Sequence, residues 1–348
     1  MAESKPILAI TMGDPAGIGP ETIVSALSDE RIYHVCEPVV VGRPVVLQRA
    51  ADLLKLPLEV QVVTDPAMAT SASRKVLCCL ESGSPEADDL APAIVDARGG
   101  QAAYDALVMA AELARGGKVA GIVTAPLHKV ALNAAGHLWP GHTELLAELC
   151  GVEHFAMMLY LPPGGKNRGG PAGLGVIHVT LHMALREVFE HLTQEAICEK
   201  IELAYKSFTK IRGALRLPRE PRIGVAALNP HGGEGGLFGD EEEKLIAPAV
   251  RWAQRRGWHV EGPFPTDTLM YRAAEGEFDA VVAMYHDQGH IALKLLDMFE
   301  AVNITLGLPI VRTSVAHGTA FDLAWKGKAK SGGMVQAILT AARLVRGL

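Results

Sequence analysis

His182, His231 and His286 each follow a short apolar run, at 175–180, 223–228 and 280–285 respectively. A run without polar alternation reads as a strand buried on both faces, as in a parallel sheet covered by helices. Ligands gather at the carboxyl ends of such strands. Three imidazoles in that position suit an open site for Zn²⁺, Co²⁺ or Ni²⁺ that leaves room for substrate. Any one of them alone reads more readily as a structural histidine; the shared position behind three strands is what points to a metal. His178 lies four residues before His182, about 13 Å away on an extended strand, too far to share one ion. His182 is therefore the expected ligand and His178 a packed or hydrogen-bonded histidine. His142, Thr143, Lys294, Asn303 and Arg312 could fix a phosphate and a carboxylate, and Asp287 could assist beside His286. Asp14, after the apolar run Ile7–Thr11, reads either as ligand-facing or as part of a tight β–α turn.

The elements that position these groups alternate strand and helix, as βαβ units do. A helix is expected over 96–115, stopped by Gly116-Gly117. Thr143 fits the N-cap of the next helix, where His142 and Thr143 could also face a ligand. The stretch 162–171 reads as a surface loop whose Lys166 and Arg168 are solvated. Helices are expected over 186–193, 195–208, 240–256 and 334–348, a loop over 262–270, and short strands over 302–305 and 309–313. Glycines crowd His231 and Glu234 at 229–236, which suggests backbone close to a ligand. The first turn spaces its glycines G-x3-G-x-G, neither a dinucleotide fingerprint nor a P-loop.

The chain has 348 residues, 49% hydrophobic and 21% charged, with net charge −6. That length favours two α/β lobes over one, and that balance argues against nucleic acid or an anionic membrane as main partner. No apolar run is long enough for a spanning helix, and the N-terminus shows no signal-peptide pattern. The five cysteines form no CxxC pair and read as reduced, cytoplasmic thiols, with Cys78-Cys79 in the core.

GDPAGIGPE, APLHK, PGHTE, LNPHGGEGG, AMYHDQGH, VNITLGLP, RTSVAHGTAFD and GKAKS run along nearly the whole chain. In this order they resemble the 4-hydroxythreonine-4-phosphate dehydrogenase family. The resemblance implies an isocitrate/isopropylmalate dehydrogenase-like α/β fold with mainly parallel sheets. It implies a cofactor-side lobe of residues 1–130 plus 305–348, a metal-binding and dimerising lobe of 131–304, and an active site in a cleft. His182, His231 and His286 match the family's metal ligands. His142, Thr143, Lys294, Asn303 and Arg312 match its substrate-binding positions, and His317, Gly318 and Thr319 resemble the adenine-side loop of the wider fold. NAD or NADP, one divalent ion per site (Zn, Co or Mg) and a homodimer whose metal ligands come from both subunits are implied as well.

The expected reaction oxidises a 3-hydroxy acid at C3 and decarboxylates the product, with His142, Lys294 and Asp287 all open as the base. The family's biosynthetic enzymes commonly read THLPLRD where this chain has residues 180–187 as TLHMALRE. GHTELLAEL, LFGDEE, HDQGHIALKLL and GTAFDLAWKGKAK look closer to a branch acting on D-threonate or D-erythronate 4-phosphate. A more distant branch, acting on a terephthalate-derived dihydrodiol, alters the GHTE motif that is intact here. The substrate is thus 4-phosphohydroxy-L-threonine or the related phosphosugar acid. Two other classes stay open: a metal-dependent phosphate-ester hydrolase, and a non-catalytic phosphometabolite-binding protein.

Overall fold

A computed structural model describes residues 4–164, 168–217 and 220–346. Lys166 lies outside the described residues. The chain divides into two compact units, Met1–Glu153 with Leu308–Arg346, and His154–Gly307.

In the first unit the strands are β1 (Ile7–Thr11), β2 (Glu37–Gly42), β3 (Glu59–Val63), β4 (Val76–Glu81) and β5 (Gly121–Thr124), joined by β12 (Val311–Val315). They lie in the order β3-β4-β2-β1-β5-β12, every neighbouring pair parallel. The buried apolar runs of β1, β2 and β5 match what a sheet covered on both faces requires. The helix Ala97–Arg115 packs on this sheet through Ala106, Leu107, Ala110 and Ala111, spaced three and four apart. Asp96 caps it by accepting from the Arg98 N–H at 2.8 Å, and Gly116 closes it. A Cβ at Gly100 would lie 2.1 Å from the Ala131 carbonyl oxygen, so only glycine lets the helix Lys129–Ala134 come this close. The helix His142–Cys150 joins the same core through Leu145 and Leu146. That packing carries the first unit on to Glu153, past the expected boundary at residue 130. The unit resumes at Leu308, where the expectation had 305. Cys78 and Cys79 are core residues, and burial pushes the Cys79 thiol up to about 12.

The second unit contains β6 (Ala156–Leu161), β7 (Leu174–His178), β8 (Ile223–Ala226), β9 (Val260–Phe264), β10 (Ala280–Ala283) and β11 (Val302–Leu306). Their order is β11-β6-β7-β10-β8-β9. The pairs from β7 to β9 are parallel, while β6 runs antiparallel to both of its neighbours. Asp279, 1% exposed, accepts from Arg212 at 2.8 Å through Oδ1 and from the Arg222 N–H at 2.8 Å through Oδ2. This buried pair anchors the start of β10 to the long helix Gln194–Ala214.

Two expectations about elements fail here. The region 262–270 is not a loop: β9 pairs with β8, and Thr266–Ala274 is a helix burying Leu269 and Ala273. Pro263 hides the strand in the sequence, yet β9 stands at the end of the order, where a missing N–H is tolerated. The segment expected as the helix 186–193 is a 3₁₀ turn, Leu185–Glu187, followed by the short helix Val188–His191. The fold is α/β with mainly parallel sheets, as expected. No helix among the described residues is long and apolar enough to cross a membrane.

Candidate active site

In the second unit β7 ends at His178 and the chain then reaches His182, with His231 after β8 and His286 after β10. These strands are mutually parallel, so their carboxyl ends share one edge. His286 opens the helix His286–Asp297, which places His290 and Lys294 one and two turns further on. The rings of His182 and His286 lie 5.8 Å apart between centroids. His286 and His290 stack at 3.9 Å, and His290 Nδ1 meets His178 Nε2 at 3.1 Å. His178 is buried and hydrogen-bonded, as expected. It is nevertheless not remote from the ligand position, because its ring stands 6.1 Å from that of His286. β7 ends at His178, so the extended spacing does not continue to His182. Desolvation, followed by the neighbouring imidazoles, lowers the pKa of His178 well below the usual histidine value and that of His290 to about 4. His290 was missed in the sequence, where it reads as an ordinary core residue of the helix.

His231 stands apart from that cluster in its partners. Its side chain is exposed, and its Nδ1 lies 3.2 Å from Glu234 Oε2. His286 Nδ1 likewise lies 2.7 Å from Asp287 Oδ1. An ionised carboxyl oxygen only accepts, so a neutral ring paired in this way carries its proton on Nδ1 and keeps on Nε2 the lone pair a metal requires. The donor chemistry fits a divalent ion. Among the described residues no group of three or more His, Cys, Asp or Glu is placed to hold a metal.

The anion-binding candidates of the first unit gather at the N-terminus of the helix His142–Cys150. That helix starts two residues earlier than expected. Gly141 is its N-cap, and Thr143 lies inside its first turn rather than capping it. Arg312, on β12, is 3% exposed and donates from Nη2 to Thr124 Oγ1 at 2.6 Å. Burial lowers its pKa to about 10, against the attraction of Glu144. Burial first, then Arg312 and Lys129, hold the His142 imidazole well below its ordinary pKa, so it is neutral near pH 7. A buried guanidinium, a neutral imidazole and the N-terminus of a helix are groups whose chemistry suits an anion. Lys129 bears on His142 and was passed over; APLHK at the end of β5 was the available signal.

Lys294 bears electrostatically on His290, and Asn303 sits on β11. Thr319 meets the first β–α turn, its carbonyl accepting from the Ile18 N–H at 3.1 Å, and His317 Nδ1 lies 3.0 Å from the Gly318 carbonyl oxygen. Arg168 is not solvated: it pairs with Asp297 and Glu300 at the end of the helix that starts at His286.

Asp14 is 1% exposed, and its Oδ2 finds no hydrogen-bond partner among the described residues. Burial raises its pKa to about 6, opposed by the Ala16 N–H and reinforced by Asp96. With the folded value above the unfolded one, stability falls as pH rises from about 4 to about 6, by about 3 kcal/mol. Asp14→Asn should therefore raise the melting temperature at pH 7.5 and much less near pH 4. An equal shift at both pH values would contradict a buried charge at this position.

His182, His231 and His286 follow the carboxyl ends of mutually parallel strands, the place where ligands gather in α/β folds. Residues 34–341 match the family described as Pyridoxal phosphate biosynthetic protein PdxA, and the chain belongs to that family. It is 45% identical to D-threonate 4-phosphate dehydrogenase of Pectobacterium atrosepticum, over 97% of this chain and 99% of the relative. It is also 45% identical to 4-hydroxythreonine-4-phosphate dehydrogenase of Trichlorobacter lovleyi, over 99% of both. A solved structure of 4-hydroxythreonine-4-phosphate dehydrogenase from Klebsiella pneumoniae superposes with a TM-score of 0.85 at 44% identity, covering 98% of this chain and all of that one. The chain is an enzyme of this type, a dehydrogenase acting on a CH–OH group.

Proposed function

We propose that the protein oxidises and decarboxylates a 4-phosphorylated four-carbon 3-hydroxy acid, using NAD⁺ or NADP⁺ and one divalent metal ion. The observation that carries this reading is the pairing of His182 with His286 at the ends of parallel strands, with Nε2 of His286 left for a metal. His182 and His286 of one chain, with His231 of a second copy, would hold the ion. When bound, the metal would polarise the C3 oxygen and the nicotinamide would take the hydride.

The chain's own groups do the rest. Arg312, His142, Thr143 and the helix N–H groups hold the phosphate, while Lys294 and Asn303 orient the acid end. His317, Gly318 and Thr319 line the cofactor's adenine side. Asp287 is engaged with His286 and orients it, which leaves His142 and Lys294 for the proton at C3. Of these two, His142 is the one held neutral near pH 7, although its lowered pKa also makes it a weaker proton acceptor than an ordinary imidazole.

The second copy is supported by the helix His286–Asp297. Its Ile291 and Leu295 are exposed, with Met298 and Phe299 exposed just beyond, and Leu295 reaches 81%. A single chain leaves that apolar group in water, whereas a homodimer would bury it. The five cysteines are free thiols, consistent with a cytoplasmic enzyme.

The test is a turnover screen of 4-phosphohydroxy-L-threonine, 4-phospho-D-threonate and 4-phospho-D-erythronate with NAD⁺ and NADP⁺. NADH or NADPH formation with one of them supports the reading. Phosphate release without it would indicate a hydrolase, and binding without either product a non-catalytic protein.

A further inference from the structure

Residues 231–235 run through five consecutive left-handed backbone conformations, with φ of 55°, 69°, 78°, 47° and 64°. Glycine adopts these freely, but His231 and Glu234 are not glycine, and an L side chain is strained there. Such a loop persists only when its surroundings hold it. The His231 side chain gives little hold: it is 73% exposed, and its polar and ring partners among the described residues, Glu234 and Phe238, belong to the same loop. Where this imidazole points is therefore decided by its backbone.

A side chain from outside the loop, that of Glu242, holds the backbone at its entry. Glu242 is 6% exposed. Its Oε1 accepts from the Leu228 N–H at 2.8 Å and the Asn229 N–H at 2.7 Å, where the chain leaves β8. Its Oε2 accepts from Asn229 Nδ2 at 3.0 Å, and that amide also reaches Glu241 Oε2 at 2.7 Å. The loop then folds back on the same carboxyl group, since a Cβ at Gly233 would lie 2.7 Å from Glu242 Oε2. Glu242 also opens the π-helical turn Glu242–Ile246, set directly before the α-helix Ala247–Gln254. Single π turns of this kind are frequent at functional sites.

We propose that Glu242 is a positioning residue. By binding the entry of the 229–236 loop and lying against its return at Gly233, it fixes the left-handed backbone that presents His231 to the metal. The role of His231 as a ligand rests on the function proposed above; the gripping of the loop by Glu242 does not. Replacing an outer-sphere group of this kind typically weakens metal binding by about 10–100-fold.

The test compares E242A, E242Q and H231A as full-length, metal-free protein. Co²⁺ is titrated and followed by its visible absorption, hydrogen exchange is read over residues 228–236, and NAD⁺ affinity and melting are measured alongside. E242A should weaken Co²⁺ binding by about 10–100-fold, toward the level of H231A, and raise exchange in that segment while NAD⁺ affinity stays unchanged. E242Q retains an acceptor for the Leu228 and Asn229 amides but sets an NH₂ group against Asn229 Nδ2, so a smaller change in the same direction is expected. Wild-type Co²⁺ affinity and wild-type loop exchange in E242A overturn the proposal. Should E242A not fold, the same two unchanged values in E242Q overturn it. If H231A binds Co²⁺ like the wild type, His231 is not a ligand and the proposed site fails, while exchange in the Glu242 variants still decides whether Glu242 holds the loop.

Discussion

A preparation of His231→Ala and one of His286→Ala, each inactive alone, should regain activity when mixed under conditions that exchange subunits. A mixture of His182→Ala with His286→Ala should stay inactive. The rings of His182 and His286 are 5.8 Å apart in one chain, so these two ligands enter a site together. His231 has other partners, Glu234 and Phe238, and no group of three or more His, Cys, Asp or Glu is placed to hold a metal among the described residues. If the site is completed by a second copy, a mixed dimer of the first kind carries one fully intact site and one doubly defective site. A mixed dimer of the second kind carries a defect in each. Random exchange in a two-fold dimer would restore about a quarter of the sites. Each single variant loses a ligand itself, so its loss of turnover should exceed the 10–100-fold typical of outer-sphere changes. The decisive measurement is NADH formation before and after mixing, with sedimentation confirming dimers throughout. Recovery in the His182→Ala and His286→Ala mixture would show that the ligands are divided between subunits in another way. Full activity in a monomer would exclude a shared site.

The strands that carry the histidines were legible because parallel strands covered on both faces are unbroken apolar runs, and 223–228 and 280–285 have that form. The polar clusters behind them were legible because in such sheets the chain turns at the carboxyl end. What resisted reading was whatever long-range contacts decide. Pro263 disguised β9, which exists because it pairs with β8. Arg168 in a glycine-rich loop looked solvated, yet its partners Asp297 and Glu300 lie far along the chain. The 13 Å spacing assigned to His178 and His182 presumed a strand running through both, and the strand stops at His178. His290 and Glu242 each sit on a helical segment with a plausible core or surface role. Their partners, His178 in one case and the Leu228 and Asn229 amides in the other, come from other strand ends. Local pattern supplied the places where chemistry gathers, and tertiary contact supplied the groups that hold it in place.

Removing the substrate's phosphate should cost far more than exchanging amino for hydroxyl at C2. The phosphate seat proposed here combines Arg312, His142, Thr143 and the first N–H groups of the helix His142–Cys150. Arg312 is 3% exposed and already desolvated, so its charge meets the phosphate in a medium that weakens the attraction little. Hydrogen bonds to charged groups are worth about 1.5–3 kcal/mol each, and three of them amount to about 5–9 kcal/mol. At about 1.4 kcal/mol per decade, kcat/KM for threonate should fall at least about 10³-fold below that for its 4-phosphate. Because binding energy at the remote phosphate also places C3 against the metal and the nicotinamide, kcat should fall along with affinity. The C2 substituent alters a single contact near the reacting carbon, so 4-phosphohydroxy-L-threonine and 4-phospho-D-threonate should differ by much less. Arg312→Met should reproduce the loss with the phosphorylated substrate and make little difference with the unphosphorylated one, since the contact it removes exists only with the phosphate. Steady-state kinetics on the three compounds with both enzymes decide the matter. Threonate turning over as well as its 4-phosphate would remove the phosphate seat from His142, Thr143 and Arg312.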